Sequence, residues 1–481
     1  MLIRHSFFYL LARGLPGLVN FFAIALYTRL LSTEEFGRYT MVVAGVGFVH
    51  VIIFLWLLLV AGRLLPAAKA APEKILNPLL ALFFVLAILT LLVAAAASLF
   101  SRSSSWRLLI VIAAVLAITQ AWHELNLRLA TAELAPARYG KLSGAKALLA
   151  VVIGGILVTL GFGALGPLLG LAIGSLVASW LFCGVVWRNV RPTFPDRNAL
   201  QEFCSYGLPL TITFALVWIT SSSDRLIIGW LLGEHAAGVY AVGYDLAQQS
   251  LGLLLTIVNT AALPLAINKL ERNGSQAAGQ QLKINGQLIF FLAFAGAAWL
   301  IASGPSILST FVGPNFRASA LEVFPWIAIM AAGVGVKSYH FDLAFHLSKS
   351  SKWLILTSGA AAIVNIAMNF ILLPRFGIVG AAWAGLSAIS IAIVCSAILG
   401  RRQFPMPAIL PLVVPALLVV PFVFFATRVA IGIVAPQWVQ LTFSLSFAGG
   451  VAIIGALIFN IAGVREITQQ KIAPYLAKYF G

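Results

Sequence analysis

Fourteen apolar stretches run along the chain, separated by short polar gaps. They lie at 6–31, 39–62, 78–100, 108–128, 143–160, 166–187, 205–232, 236–263, 286–312, 318–347, 354–373, 377–399, 408–431 and 438–463. A helix that crosses a bilayer needs about 20 apolar residues, and most of these runs qualify. The runs are continuous and do not alternate in and out, which predicts spanning helices and not a barrel. The first run resembles a signal peptide in that Arg4 precedes it. It is too long for one, Arg13 interrupts it and no clear small-residue cleavage site follows, so it reads as a retained first helix.

Composition fits this pattern. Hydrophobic residues make up 61% and charged residues 9%, where a soluble domain carries roughly a quarter charged residues. The gaps leave no room for a water-soluble domain. Twenty-one of the 31 Lys and Arg fall on one set of ends and alternate gaps, from Arg4 and Arg63 to Arg401, Arg402 and Arg465, and seven on the other set. Arg13, Arg225 and Lys337 lie inside spans. Basic short loops stay on the cytoplasmic side, which places both termini there and requires an even number of spans. The net charge of +17 then reflects basic loops against anionic lipid heads, not nucleic acid. Cys183, Cys204 and Cys395 are scattered, with neither metal spacing nor evident pairing.

The chain carries an internal repeat. Gly14-Leu15-Pro16 in the first helix is matched by Gly207-Leu208-Pro209 in the seventh. Each leads to an acidic turn and a Gly-x-Tyr that opens the next helix: Glu35, Gly37 and Tyr39 in one copy, Glu234, Gly238 and Tyr240 in the other. Phe162, Gly163 and Gly166 align without a gap on Phe376, Gly377 and Gly380, an offset of 214. Six spans separate the copies, so the repeat is parallel, a plan that puts a substrate cavity between the halves in some transporters. The expected fold is an all-α polytopic membrane protein with 14 transmembrane helices: a lobe at 1–188, a linker at 189–204 containing Pro192 and Pro195, a lobe at 205–400, and two appended helices with a tail at 401–481. Ile467, Ile472, Tyr475 and Tyr479 among the tail's basic residues point to the inner membrane surface, against which Pro474 counts.

Polar residues inside spans are the candidates for function, because a mid-membrane charge costs roughly 2.5–3.5 kcal/mol on insertion scales. Arg13, with Gly17 and Asn20 near its face and Pro16 beside it, reads either as a cation in a hydrated cavity or as a side chain snorkelling to the surface. Asp224 and Arg225 end a polar run in the seventh span and read as a substrate or ion site or as a structural brace. Lys337 lies deep in the tenth span and is the best single candidate for anion binding; Asp342 falls on a different helical face, and His340 reads as a hydrogen-bonded core histidine. Tyr240, Tyr244, Gln248 and Asn259 in the eighth span and Asn365 and Asn369 in the eleventh either tie helices together or line a sugar path. Glu124 is placed to pair with Arg128, four residues on. No P-loop, metal spacing or nucleophile elbow is present, so the expectation is a protein that is not an enzyme and uses no cofactor or metal. Arg, Lys, amides and aromatics suit an anionic substrate that carries sugars.

These residues carry a family resemblance. Ser205-Tyr206-Gly207-Leu208-Pro209, Asp224-Arg225-Leu226-Ile227-Ile228-Gly229, Leu231-Leu232-Gly233 and Ala237-Gly238-Val239-Tyr240-Ala241 resemble the opening of the second lobe in Wzx-type flippases of the polysaccharide transporter family. Thr28-Arg29-Leu30-Leu31-Ser32 and Glu35-Phe36-Gly37-Arg38-Tyr39 resemble their N-terminal signature. The resemblance implies a fold of the multidrug/oligosaccharidyl-lipid/polysaccharide (MOP) exporter superfamily, related to multidrug and toxin extrusion (MATE) transporters. It also implies transport of undecaprenyl-diphosphate-linked glycans across a bacterial inner membrane by alternating access, for O-antigen, capsule or exopolysaccharide. Membrane lipids and polymerase machinery are the implied partners. Arg13, Arg225 and Lys337, with Asn20, Tyr244, Gln248 and Asn365, would then bind substrate, and Asp224 a coupling cation or proton. The rival is a cation-coupled exporter of small cationic compounds, in which Asp224 and Asp342 matter and the embedded cations do not. A polysaccharide polymerase or glycosyltransferase needs a sizeable extracytoplasmic loop, which this chain lacks.

Overall fold

The computed structural model describes residues 2–68, 71–101, 103–184, 186–350, 352–433 and 436–468, with side chains from residue 16 onward except 467. Among the described residues the chain is helical, without strands. The long helices are α1 (Leu2–Leu30), α2 (Thr33–Leu64), α3 (Glu73–Phe100), α4 (Ser104–Ala132), α5 (Pro136–Phe162), α6 (Leu165–Cys183), α7 (Arg197–Leu232), α8 (Glu234–Phe311), α9 (Pro314–Leu347), α10 (Lys352–Gln403), α11 (Leu410–Ile433) and α12 (Gln437–Ile458). Eleven of them, α2 to α12, are long and apolar enough to cross a membrane.

Two of these helices are hairpins. In α8 the backbone leaves the helix at Gly274 (φ 78°), and Asn285 Nδ2 donates to the Ala262 carbonyl at 2.9 Å. In a straight helix those residues would be about 34 Å apart, so the chain reverses between them. In α10 the break is at Gly377 (φ 57°), and a Cβ on Gly380 would meet the backbone of Leu372. A left-handed or extended positive-φ conformation is cheap only for glycine, which is why the turns fall there. On either side of Gly274, residues 264–273 and 275–285 continue as helix beyond the expected spans, so the arms of this basic loop are helical.

Local chemistry sets the helix ends. Ser32 Oγ accepts from Glu35 N (3.2 Å) while Glu35 Oε2 accepts from Ser32 N (3.4 Å), a reciprocal cap that starts α2. Asp196 caps α7 through Ala199 N at 2.7 Å. Residues 189–196 are therefore the non-helical part of the stretch read as a linker, and α7 begins within it.

The chain packs as two compact units, 1–241 and 242–481. In the first, α1 lies on α5, α5 on α6, α6 on α4, and α4 on α2 and α3. Gly166, Gly170 and Gly174 line the α5–α6 seam, where a Cβ on each would strike the backbone of Val158, Gly154 or Ala150. Small residues at this spacing let helix backbones approach closely in lipid, where packing must replace the hydrophobic drive. α7 joins this unit by lying along α2: Gly207 faces the Trp56 carbonyl, Gly47 the Trp218 ring and Gly229 the Met41 side chain. In the second unit α9 packs on α10 and α11 on α12, and Ser306 Oγ hydrogen-bonds Gln440 Oε1 at 3.1 Å.

Candidate functional site

The expected site residues fall on both units. In the first, the Arg13 side chain lies outside the described residues, as does the tail from 469 on. Asn20 is exposed and Arg225 half-buried. Asp224 is buried and accepts a hydrogen bond from Tyr240 Oη at 3.0 Å. That bond ties the end of α7 to the beginning of α8. Glu124 is approached by a group that the sequence did not pair with it: His50 Nε2 of α2 stands 3.7 Å from Glu124 Oε2.

In the second unit Tyr244 is buried, Gln248 half-buried and Asn365 buried. Asn369 Nδ2 donates to the Asn365 carbonyl (2.9 Å) and to Asn365 Oδ1 (3.3 Å). Lys337 is buried in a pair: its Nζ donates to Asp342 Oδ2 at 2.7 Å, and Ser396 Oγ of α10 donates to Asp342 Oδ1 at 2.8 Å. The α-helical period put Asp342 on another face. Residues Lys337–Phe341 form a π turn, in which Asp342 N bonds the Lys337 carbonyl at 2.9 Å. The wider turn brings i+5 beneath i, so the pair is local and invisible to a 3.6-residue count. His340, buried in the same turn, packs edge-on against Phe290 (centroids 5.4 Å apart) and Phe341 (5.0 Å). It is a core histidine, but not the hydrogen-bonded one expected, since Nδ1 and Nε2 are both buried without a hydrogen-bond partner.

A second polar cluster gathers where α2, α4 and α8 begin, at the helix ends away from the main basic loops. Arg38 Nε reaches Glu234 Oε2 at 2.5 Å, and Trp106 Nε1 donates to Glu234 Oε1 at 3.0 Å. His235 Nδ1 lies 2.7 Å from Thr33 Oγ1. Gly37 and Gly238 make this closure possible. A Cβ on Gly37 would collide with the Glu234 carbonyl, and one on Gly238 with the Thr33 carbonyl. The two first turns thus cross reciprocally, with the Gly-x-Tyr motifs in register. The repeat is visible in the sequence, but the role of its glycines as a crossing point is not.

Among the described residues no group of three or more His, Cys, Asp or Glu is arranged to hold a metal ion. The chemistry on offer is polar recognition inside a helical membrane bundle.

The fold is that of a multi-pass helical membrane protein with polar groups embedded among its spans. The chain belongs to the family described as polysaccharide biosynthesis protein, whose model matches residues 2–268. It is similar to the amylovoran biosynthesis protein AmsL of Erwinia amylovora, 26% identical over 140 residues, or 28% of this chain and 35% of that protein. The match thus spans about a third of that relative's length. Its fold resembles that of the lipid II flippase MurJ in an inward closed conformation, with a TM-score of 0.77 at 14% identity over 94% of this chain and 98% of that one. An inward-facing multidrug-resistance MATE transporter is similar with a TM-score of 0.68 at 15% identity, over 81% of this chain and 94% of that one.

Proposed function

We propose that the protein is a flippase that carries an undecaprenyl-diphosphate-linked oligosaccharide across the bacterial inner membrane by alternating access, with both termini in the cytoplasm. It would serve O-antigen, capsule or exopolysaccharide assembly and deliver cargo to a polysaccharide polymerase. The observation that carries this reading is the coverage of the fold likeness. The likeness to a flippase extends over 94% of the chain, and that to a MATE transporter over 81%. Family membership supports a glycan as cargo.

In this reading the two compact units, 1–241 and 242–481, serve as the moving lobes in place of the expected 1–188 and 205–400, because α7 packs in the first unit. Arg13, Asn20 and Arg225 of the first unit, and Tyr244, Gln248, Lys337 and Asn365 of the second, each meet the polar head during the cycle. Arg225 is the strongest cation candidate with a described side chain, because guanidinium matches phosphate oxygens. Lys337 would have to exchange Asp342 for phosphate. Asp224 keeps a place as a coupling site held by Tyr240. The exporter alternative needs free carboxylates, and Asp342 is instead held by Lys337 and Ser396.

The test is flipping of a labelled lipid-linked oligosaccharide in proteoliposomes. Flipping by the wild type, reduced by Arg225→Ala and by Lys337→Ala with Arg13→Ala, supports the reading. No flipping, with extrusion of cationic dyes in its place, would falsify it.

A further inference from the structure

We propose that the second unit binds an anionic phospholipid in a groove that ends at Arg401, with one acyl chain in the groove and the phosphate at the guanidinium. The groove holds about 510 Å³ and is walled by Phe290 and Phe294 of α8, Val336 of α9, and Val394 and Ile398 of α10. Arg401, in the last turn of α10, is the one charged residue among the described residues that line it. Val394 and Ile398 are each 53% exposed, so the groove opens on a face that the rest of the described chain leaves uncovered. In a chain that crosses a bilayer, an apolar face of this kind meets hydrocarbon, and a cation at its end meets lipid phosphates.

The fold makes this groove twice. One of about 450 Å³ stands in the first unit, and its walls are repeat counterparts: Trp122 for Val336, Trp180 for Val394 and Trp187 for Arg401, each pair 214 residues apart. The two differ at the rim. Trp187 Nε1 donates to Asn126 Oδ1 at 2.7 Å and its ring packs on Trp122, centroids 4.7 Å apart, so that rim is neutral and already partnered. Arg401 has neither an ion pair nor a side-chain hydrogen bond among the described residues. Building the groove therefore does not require an arginine. Nor does closing the helix end, because Arg402 puts a second cation in the same last turn without lining the groove. An unpaired guanidinium at the end of an apolar groove matches a phosphate oxygen with a hydrocarbon chain behind it.

Depth selects the occupant. From Ile393 to Arg401 α10 rises about 12 Å, against roughly 15 Å for one leaflet of a hydrocarbon core about 30 Å thick. A fatty acyl chain anchored by its phosphate at Arg401 fits that depth, whereas an undecaprenyl tail is far longer and would overrun it. The chain would touch α8, α9, α10 and Ile409, the residue before α11, and so stabilise the second unit. Such binding does not depend on the flippase reading above.

Native mass spectrometry of the full chain, titrated with phosphatidylglycerol or with phosphatidylcholine of the same acyl chains, tests this. The wild type is expected to hold one phosphatidylglycerol at least about tenfold more tightly than phosphatidylcholine. Arg401→Gln should lose that preference and Arg402→Gln should keep it. Ala397→Phe, which fills the groove and leaves Arg401 in place, should weaken phosphatidylglycerol binding. No preference in the wild type, equal losses in Arg401→Gln and Arg402→Gln, or binding unchanged by Ala397→Phe overturns the site. Displacement of phosphatidylglycerol by equimolar undecaprenyl phosphate also overturns it, because the groove would then belong to the carrier. Should Arg401→Gln fail to fold, photolabelling of the wild type by phosphatidylglycerol with a diazirine on its acyl chain decides. Labels within 290–294, 333–341 or 393–409 support the site, and labels only elsewhere overturn it.

Discussion

Gly163 and Gly377, 214 residues apart, adopt the same rare backbone conformation: φ 53°, ψ −134° at one and φ 57°, ψ −143° at the other. Each sits where one helix reverses into the next, and the glycine three residues on packs against the helix just left. A Cβ on Gly166 would meet Val158, and one on Gly380 would meet Leu372, again 214 residues apart. The repeat is thus a repeat of backbone geometry and not only of residue types.

Substitution at these glycines is expected to be costly. A side chain at this φ and ψ carries strain of about 1–3 kcal/mol. Gly163→Ala and Gly377→Ala should each lower the thermal midpoint in detergent. Gly450→Ala should not, because a Cβ there meets nothing within 4 Å.

The Lys337–Asp342 pair is almost closed to water, with side chains 11% and 8% accessible. Removing one partner strands a buried charge, at a cost on the order of 3–5 kcal/mol. Lys337→Met and Asp342→Asn should each destabilise strongly, and the double variant should destabilise less than the sum of the two. Denaturation of the four proteins in a double-mutant cycle checks this.

The Arg38–Glu234 pair is more open, at 37% and 21%. Solvent screening limits it to about 0.5–1 kcal/mol in the same kind of cycle. Its larger expected effect is conformational. Arg38→Ala should raise labelling of a Thr33→Cys variant by an impermeant thiol reagent, read as a rate.

Arg225→Ala is expected to slow flipping. A charge-assisted hydrogen bond contributes about 1.5–3 kcal/mol, which corresponds to a loss of roughly ten- to a hundredfold in rate. Initial rates in proteoliposomes, with matched elution profiles and midpoints, give the comparison.

Much of this architecture was legible in the chain itself. Long apolar runs, basic alternate gaps and glycines at one offset each report on a local property, namely what a segment can bury, which face of a membrane it tolerates, or which φ it can adopt. The crossing of Gly37 and Gly238 was legible only as a motif, because its meaning depends on two helices meeting.

By itself, then, the sequence determined the medium, the helical class, the places where helices turn and the family, since these follow from residue chemistry read in order. Tertiary structure decided which polar groups meet. The π turn at Lys337 shifts side chains off the ideal helical phase, so Asp342 comes under Lys337, and the packing of α2 on α4 brings His50 to Glu124. Tertiary structure also decided that α7, whose motifs open the second copy of the repeat, packs along α2. The physical reason is that such pairings depend on helix phase and interhelical distance, and neither is carried by composition or spacing.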